Sequence, residues 1–278
     1  MTLLRLAALT ALGSIAACSL VYGSDLDGAR EGTSPTDDGG AFEASAPGSP
    51  GEGGVDGSDG TMAVTRGCSG LVPAPKFCDD FERGAFDANG WSIVDDGMTI
   101  TSDPLAFSGE RSVRVFMAVD DDCSFGRLER GWLNTNATSR VDVHVNVRPS
   151  SNSLLSANGT LQFLAIQLGS DERYCAALLR TGRDRVLLNV QHDPNFQNDF
   201  HDLAGRIPAE RWTDVGVAFL PGPSLVVTIQ DDTGATQETT LSVPQCPSLG
   251  SHLRIGVGFH CEVGDGEMRY DDVRVDWQ

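Results

Sequence analysis

From Arg66 onward the hydrophobic positions recur with a period of two. In Ser139–Arg148, Val141, Val143, Val145 and Val147 face one way while Asp142, His144, Asn146 and Arg148 face the other. That alternation predicts a strand with one packed and one wet face. Similar runs span Ser112–Ala118, Leu161–Leu168, Tyr174–Leu179, Val186–Gln191, Trp212–Leu220, Leu225–Gln230, Leu253–Phe259 and Met268–Trp277. Turn signals separate them, among them Ser108-Gly109, Thr181-Gly182, Pro221-Gly222-Pro223 and Thr233-Gly234. Almost nothing in this stretch keeps a helical period, so residues 66–278 are expected to form one all-β domain, two antiparallel sheets packed face to face.

The first 65 residues follow different rules. Residues 1–17 carry Arg5 and an apolar run from Leu6 to Ala17, the pattern of an export signal too short to span a bilayer permanently. Ile15-Ala16-Ala17-Cys18 resembles the lipobox of bacterial lipoproteins. That resemblance implies a lipid on Cys18 and, with Ser19 rather than Asp after it, an outer-membrane location. Residues 18–65 are rich in Gly, Ser, Asp and Pro, and between Ser19 and Thr65 hold nine acidic residues against Arg30 alone. Such a segment cannot bury a core and reads as a flexible acidic linker.

Charge narrows the partners. With 39 acidic and 20 basic side chains the net charge is -19, which argues against nucleic acid. Lys76 is the only lysine, so no Lys cluster exists to hold phosphate. Membrane contact is expected through the N-terminal lipid only.

Short motifs at both ends of the domain sharpen the fold. The domain opens with Cys78-Asp79-Asp80-Phe81-Glu82, continues through Trp91 and Phe107-Ser108-Gly109, and closes with Tyr270-Asp271-Asp272-Val273-Arg274-Val275. This resembles the concanavalin A-like jelly roll, the group that includes laminin-G-like domains and many carbohydrate-binding modules. The resemblance implies a two-sheet antiparallel jelly-roll sandwich with the opening strand beside the closing one. It names no single function, because that fold carries lectins, lyases, glycosidases and adhesion domains.

Apart from Cys18, the cysteines are Cys68, Cys78, Cys123, Cys175, Cys246 and Cys261. An even number on an exported chain predicts three disulfides. Proximity in sequence alone favours Cys68 with Cys78, Cys123 with Cys175, and Cys246 with Cys261. No clustered Cys/His spacing suggests zinc.

Catalytic marks of the fold are missing. There is no E-x-D-x-x-E strand to place two carboxylates in one cleft. The strings nearest to alginate-lyase strands, Arg127-Leu128-Glu129-Arg130 and Ile166-Gln167-Leu168, do not match, since no His follows Gln167. A non-catalytic module that binds a glycan is therefore the leading expectation. A structural or protein-interaction envelope module is the alternative, and a diverged lyase or glycosidase the third. Sugar binding needs aromatic platforms and planar amides. His144 and Asn146 on one strand, Asn189 and Gln191 on another, and His192, Phe196, Phe200 and His201 in the connection from Gln191 to Arg206 are the candidate residues. They are expected to meet on the wet face of the larger sheet.

In the closing strand Met268 and Tyr270 keep one parity and Val273, Val275 and Trp277 the other, so a β-bulge is expected at Asp271-Asp272. If the opening strand pairs there, as the resemblance implies, Asp80, Glu82 and Asp272 are the expected ligands of a structural calcium ion.

Overall fold

The computed structural model describes residues 67–278 apart from 69–70, 97, 118–123, 134, 138, 152–160, 171–172, 184, 193–196, 223, 245, 247–248, 250–251 and 263–265. Fifteen strands and one short 3₁₀ turn, Asp87–Asn89, are present among these residues. The strands are β1 (Phe77–Asp79), β2 (Ser92–Asp96), β3 (Met98–Asp103), β4 (Ser112–Met117) and β5 (Ser124–Leu133). Next come β6 (Val141–Pro149), β7 (Leu161–Ser170), β8 (Arg173–Thr181), β9 (Val186–His192) and β10 (Gln197–Leu203). The last five are β11 (Thr213–Leu220), β12 (Ser224–Gln230), β13 (Thr236–Ser242), β14 (His252–Glu262) and β15 (Gly266–Trp277).

They form two antiparallel sheets. The eight-stranded sheet runs β13-β12-β11-β6-β15-β4-β3, with β1 paired to β15, and the seven-stranded sheet runs β10-β9-β8-β7-β14-β5-β2. Between them lies one core. The valines of β6 at 141, 143, 145 and 147 are fully buried, as are Phe163, Ile166, Leu188, Ile255, Phe259 and Val275. Removing a ring such as that of Phe163 would cost about 3–5 kcal/mol, because the cavity cannot collapse between two sheets. Trp91 joins the same core.

The closing strand organises the seam. On one side β15 pairs with β6 throughout; on its other side it pairs with β4 through Gly266–Tyr270 and with β1 through Val273–Val275. The register on β6 slips between Asp271 and Arg274, and Asp272 takes a left-handed φ of 47°, so the expected bulge is present. Its position has a physical reason. At the junction between β4 and β1 the ladder has no partner strand, and the two carboxylates serve in its place. Asp271 accepts the amides of Phe107 and Ser108 at 2.8 and 3.0 Å, and Asp272 accepts the Gly67 amide at 3.0 Å and the Ser108 hydroxyl at 2.7 Å. The opening motif is held similarly: the Asp79 carboxylate accepts the Phe81 amide, the Asn89 side-chain amide and, at 2.6 Å, the indole N–H of Trp91.

Two expectations need correction. Cys68–Cys78 forms as expected, but Cys175 bonds to Cys246, 71 positions away, which overturns both expected pairs, Cys123 with Cys175 and Cys246 with Cys261. The sandwich brings β8 against the segment that follows β13, and proximity along the chain carries no information about that. Cys123 and the side chain of Cys261 lie outside the described residues. The connection read as one long loop, Gln191–Arg206, contains β10, whose Gln-Asn-Asp-Phe-His-Asp composition hides a strand at the sheet edge.

Candidate functional site

The two outer faces carry different chemistry. On the eight-stranded sheet, ion pairs dominate. Asp214 of β11 bonds His144 Nδ1 at 2.9 Å and also pairs with Arg274 of β15. Those two partners hold the Asp214 carboxyl below its usual range even though burial pushes it up. The His144 ring lies over Gly216, where any Cβ would collide with the ring and with the Thr228 hydroxyl. Arg269 bridges Asp103 and Glu267, and Glu267 also takes Arg114 at 2.6 Å. Asn146 faces outward in register with Asp271 and Asp214, yet it is only 2% exposed. A recess of about 190 Å³ lies between this face and Leu71, Val72, Pro73 and Pro75, with Asp142, His144, Arg274 and Asp276 opposite.

The outer face of the seven-stranded sheet is built from amides and small side chains. β7, β8, β9 and β14 send Ile166, Ala177, Leu188 and Ile255 into the core, so Gln167, Ala176, Asn189, Gln191 and Arg254 point the other way. The registers align them: Arg254 stands opposite Gln167, Gln167 opposite Ala176, and Ala176 opposite Gln191. One row over, Gly256, Ala165, Leu178, Asn189 and Phe200 are aligned in the same way. Ala165, Tyr174, Ala176 and Leu178 form a small apolar cluster of their own here, separate from the main core.

This face has unmet hydrogen-bonding capacity. Gln167 and Asn189 are each 5% exposed, and the carbonyl oxygens of both, with that of Gln191, are shielded and accept no hydrogen bond. The Asn189 amide nitrogen donates to Asn198 at 3.1 Å, which leaves its oxygen over. Gln167 lines a shallow depression with Glu129, Ala165, Ala176, Arg254 and Gly256 that has room for roughly one water molecule. Arg127 forms an ion pair with Glu129 at 2.5 Å beside it.

The expected site is therefore split. His144 and Asn146 belong to one sheet and Asn189 and Gln191 to the other, on opposite sides of the sandwich, so the four do not form one site on the larger sheet. The reason is topological: β6 and β9 have the same alternation, and alternation does not say which sheet a strand joins. Asn189, Gln191 and Phe200 share the smaller sheet's outer face, where Phe200 is 62% exposed. His192 and His201 have the opposite parity; His192 is buried and faces Asp199 at 3.5 Å. Phe196 lies outside the described residues. Gln167, Arg254, Glu129, Tyr174 and Asn198 were not among the candidates. The Arg127–Arg130 and Ile166–Leu168 strings, rejected for imperfect match, were the available signal, and the fold brings Arg127, Glu129 and Gln167 from them to this one face.

The acids named for calcium meet the seam without converging. Glu82 accepts the amides of Glu110 and Arg111 at 2.7 and 2.8 Å, and Asp272 is occupied as described above. Among the described residues no group of three or more His, Cys, Asp or Glu side chains is arranged to hold a metal ion. Burial pushes Asp272 up, and burial together with the neighbouring Asp272 charge pushes Asp271 up to about 7, against the pull of its amide donors.

No family model matches the chain, and no curated protein matches it in sequence. Solved structures do match its fold. A cellulose-induced protein, Cip1, superposes with a TM-score of 0.50 at 13% identity, over 72% of this chain and 96% of that one. An endo-β-1,4-glucuronan lyase from the fungus Trichoderma reesei superposes with a TM-score of 0.53 at 14% identity, over 73% and 96%. At such identity the likeness is one of fold, and the chain is an all-β jelly-roll sandwich of the kind these proteins share.

Proposed function

We propose that this protein binds a glycan on the outer face of the seven-stranded sheet. The carrying observation is Gln167: a side chain almost wholly buried, lining the depression, with a carbonyl oxygen that has no donor. Leaving such a group unmet costs about 1–3 kcal/mol. The oxygens of Asn189 and Gln191 are shielded on the same two rows. Phe200 supplies an exposed ring at the edge of the same face. Affinity electrophoresis of the full-length protein in gels containing polysaccharides tests the reading: retardation that disappears in Gln167→Leu supports it, and uniform mobility across a broad panel ends it. Turnover of the retained polymer would replace it with a catalytic reading; Gly169 stands two residues after Gln167, with Tyr174 opposite it on β8.

Two further proposals rest on sequence alone. Cys18 carries a lipid that anchors the chain in the outer membrane of a bacterial envelope; labelled palmitate lost in Cys18→Ala tests this. Calcium at the seam would be held by Asp80, Glu82 and Asp272, and the carboxylate arrangement described above gives it no support. Coincident melts in calcium and in chelator would end it.

A further inference from the structure

The glycan face has a chemical bias that its position does not require. We infer that the ligand is a neutral, hydroxyl-rich polysaccharide chain of two or more sugar units, crossing β7, β8 and β9 over Ala176, and that polyuronates are rejected. The inference rests on the glycan reading and names the class of glycan.

Three observations carry it. The unmet amide atoms of the face are all oxygens: Gln167 Oε1, Asn189 Oδ1 and Gln191 Oε1. A sugar hydroxyl can donate to these oxygens and accept from the amide nitrogens beside them, whereas a carboxylate has only lone pairs at neutral pH and can meet the nitrogens alone. Next, the cations of the face are committed. Arg127 is paired with Glu129, and neither Arg180 nor Arg254 is free. A polyuronate would have to displace Glu129 to gain Arg127, and would approach a chain whose net charge is -19. Finally, the register sets the direction. Gln167 and Gln191 stand in one row with Ala176 between them, two strand spacings or roughly 10 Å apart. That is wider than a single sugar ring, and the small Ala176 side chain leaves the floor between them low. A chain laid across the strands reaches both amides, each turning about its last side-chain torsion to present its oxygen.

The test is isothermal calorimetry of the full-length protein with a neutral β-glucan, a neutral β-mannan, a polyuronate and a polyglucosamine, each at low and high salt. The expected result is binding to a neutral polymer, insensitive to salt, that weakens by roughly tenfold or more in both Gln167→Leu and Gln191→Leu, since each loses a hydrogen bond and its shielded partner. Gln191 is only partly buried, so Gln191→Leu keeps the test open if Gln167→Leu does not fold. Binding confined to the polyuronate or the polyglucosamine, or falling steeply with salt, overturns the neutral class while leaving a glycan site. Neutral binding that both variants retain overturns the row. No binding to any of the four overturns this inference, and the wider panel under Proposed function then decides the glycan reading itself.

Discussion

The outer faces of the two sheets are spent on different things. On the larger sheet ion pairs dominate, with Asp214 holding a histidine from the neighbouring β6 and an arginine from β15 beyond it, and one amide oxygen, Asn146 Oδ1, is unmet. On the smaller sheet amides stand beside Arg127, Glu129 and Arg254, three amide oxygens are unmet, and alanine and glycine lie between them. Polar residues on a strand's wet face look alike in a sequence. Whether they satisfy one another or wait for something else is what separates a face that stabilises from a face that binds.

That contrast can be broken at either end. The largest effect belongs to the ion-paired face. Asp214→Ala strands His144 and Arg274 without their shared carboxylate and should cost about 3–4 kcal/mol, read from the urea midpoint. A loss below about 1 kcal/mol would mean that this face contributes no more than exposed ion pairs do.

The seam and the ion-paired face should also respond to pH with opposite signs. Asp271 has its folded pKa raised to about 7 from 3.8, so the folded chain keeps its proton after the unfolded chain has lost it. Stability from this group is full below about pH 4 and declines as pH rises to about 7, by roughly 2–3 kcal/mol after allowance for partial solvent screening. Asp214, held low, contributes stability above the unfolded pKa that is lost on acidification through its folded pKa. Melting curves from pH 4 to 8 should therefore show a decline that Asp271→Asn flattens, and an unaltered slope in that variant would sink the assignment.

On the binding face the expected sign is reversed. Gln167→Leu should leave stability unchanged or raise it by up to about 1 kcal/mol, because an unmet buried carbonyl is removed, while glycan binding falls. A marked loss of stability would make Gln167 a structural residue like Asp214. The smallest effect is at Gly256. An added methyl would meet Arg127 Cδ at 3.3 Å, a flexible neighbour, so Gly256→Ala should change stability by no more than about 0.5 kcal/mol yet raise the floor of the depression and weaken binding.

Much of this architecture is legible in the chain because burial imposes alternation. The valines of β6 and the slip at Asp271-Asp272 are direct consequences of a period of two meeting a core, and both appear in the fold where the pattern puts them. β10 is not legible, since an edge strand with polar side chains on both faces has no such constraint. The Cys175–Cys246 bond and the grouping of Gln167 with Asn189 depend on which strands become neighbours. Jelly-roll crossovers set that: β14 inserts between β7 and β5, and β15 between β6 and β4. Local patterning identified the Asn189 and Gln191 pair, but only the sheet order shows that it shares a face with Gln167, two strands away, and not with His144.

The Gly67 end of the domain is fastened to its closing strand, and this sets how the domain would carry a load. A pull on the chain ahead of Gly67 meets the Asp272 carboxylate first, then the Cys68–Cys78 bond, and through it β1, whose three residues lie antiparallel against Val273–Val275. With the disulfide intact, the tension is handed to β15, which β6 and β4 flank as interior neighbours in the sheet. Reduction of that one bond would let the segment up to Cys78 peel residue by residue, so the force at which the domain gives way should depend on the redox state of the Cys68–Cys78 bond.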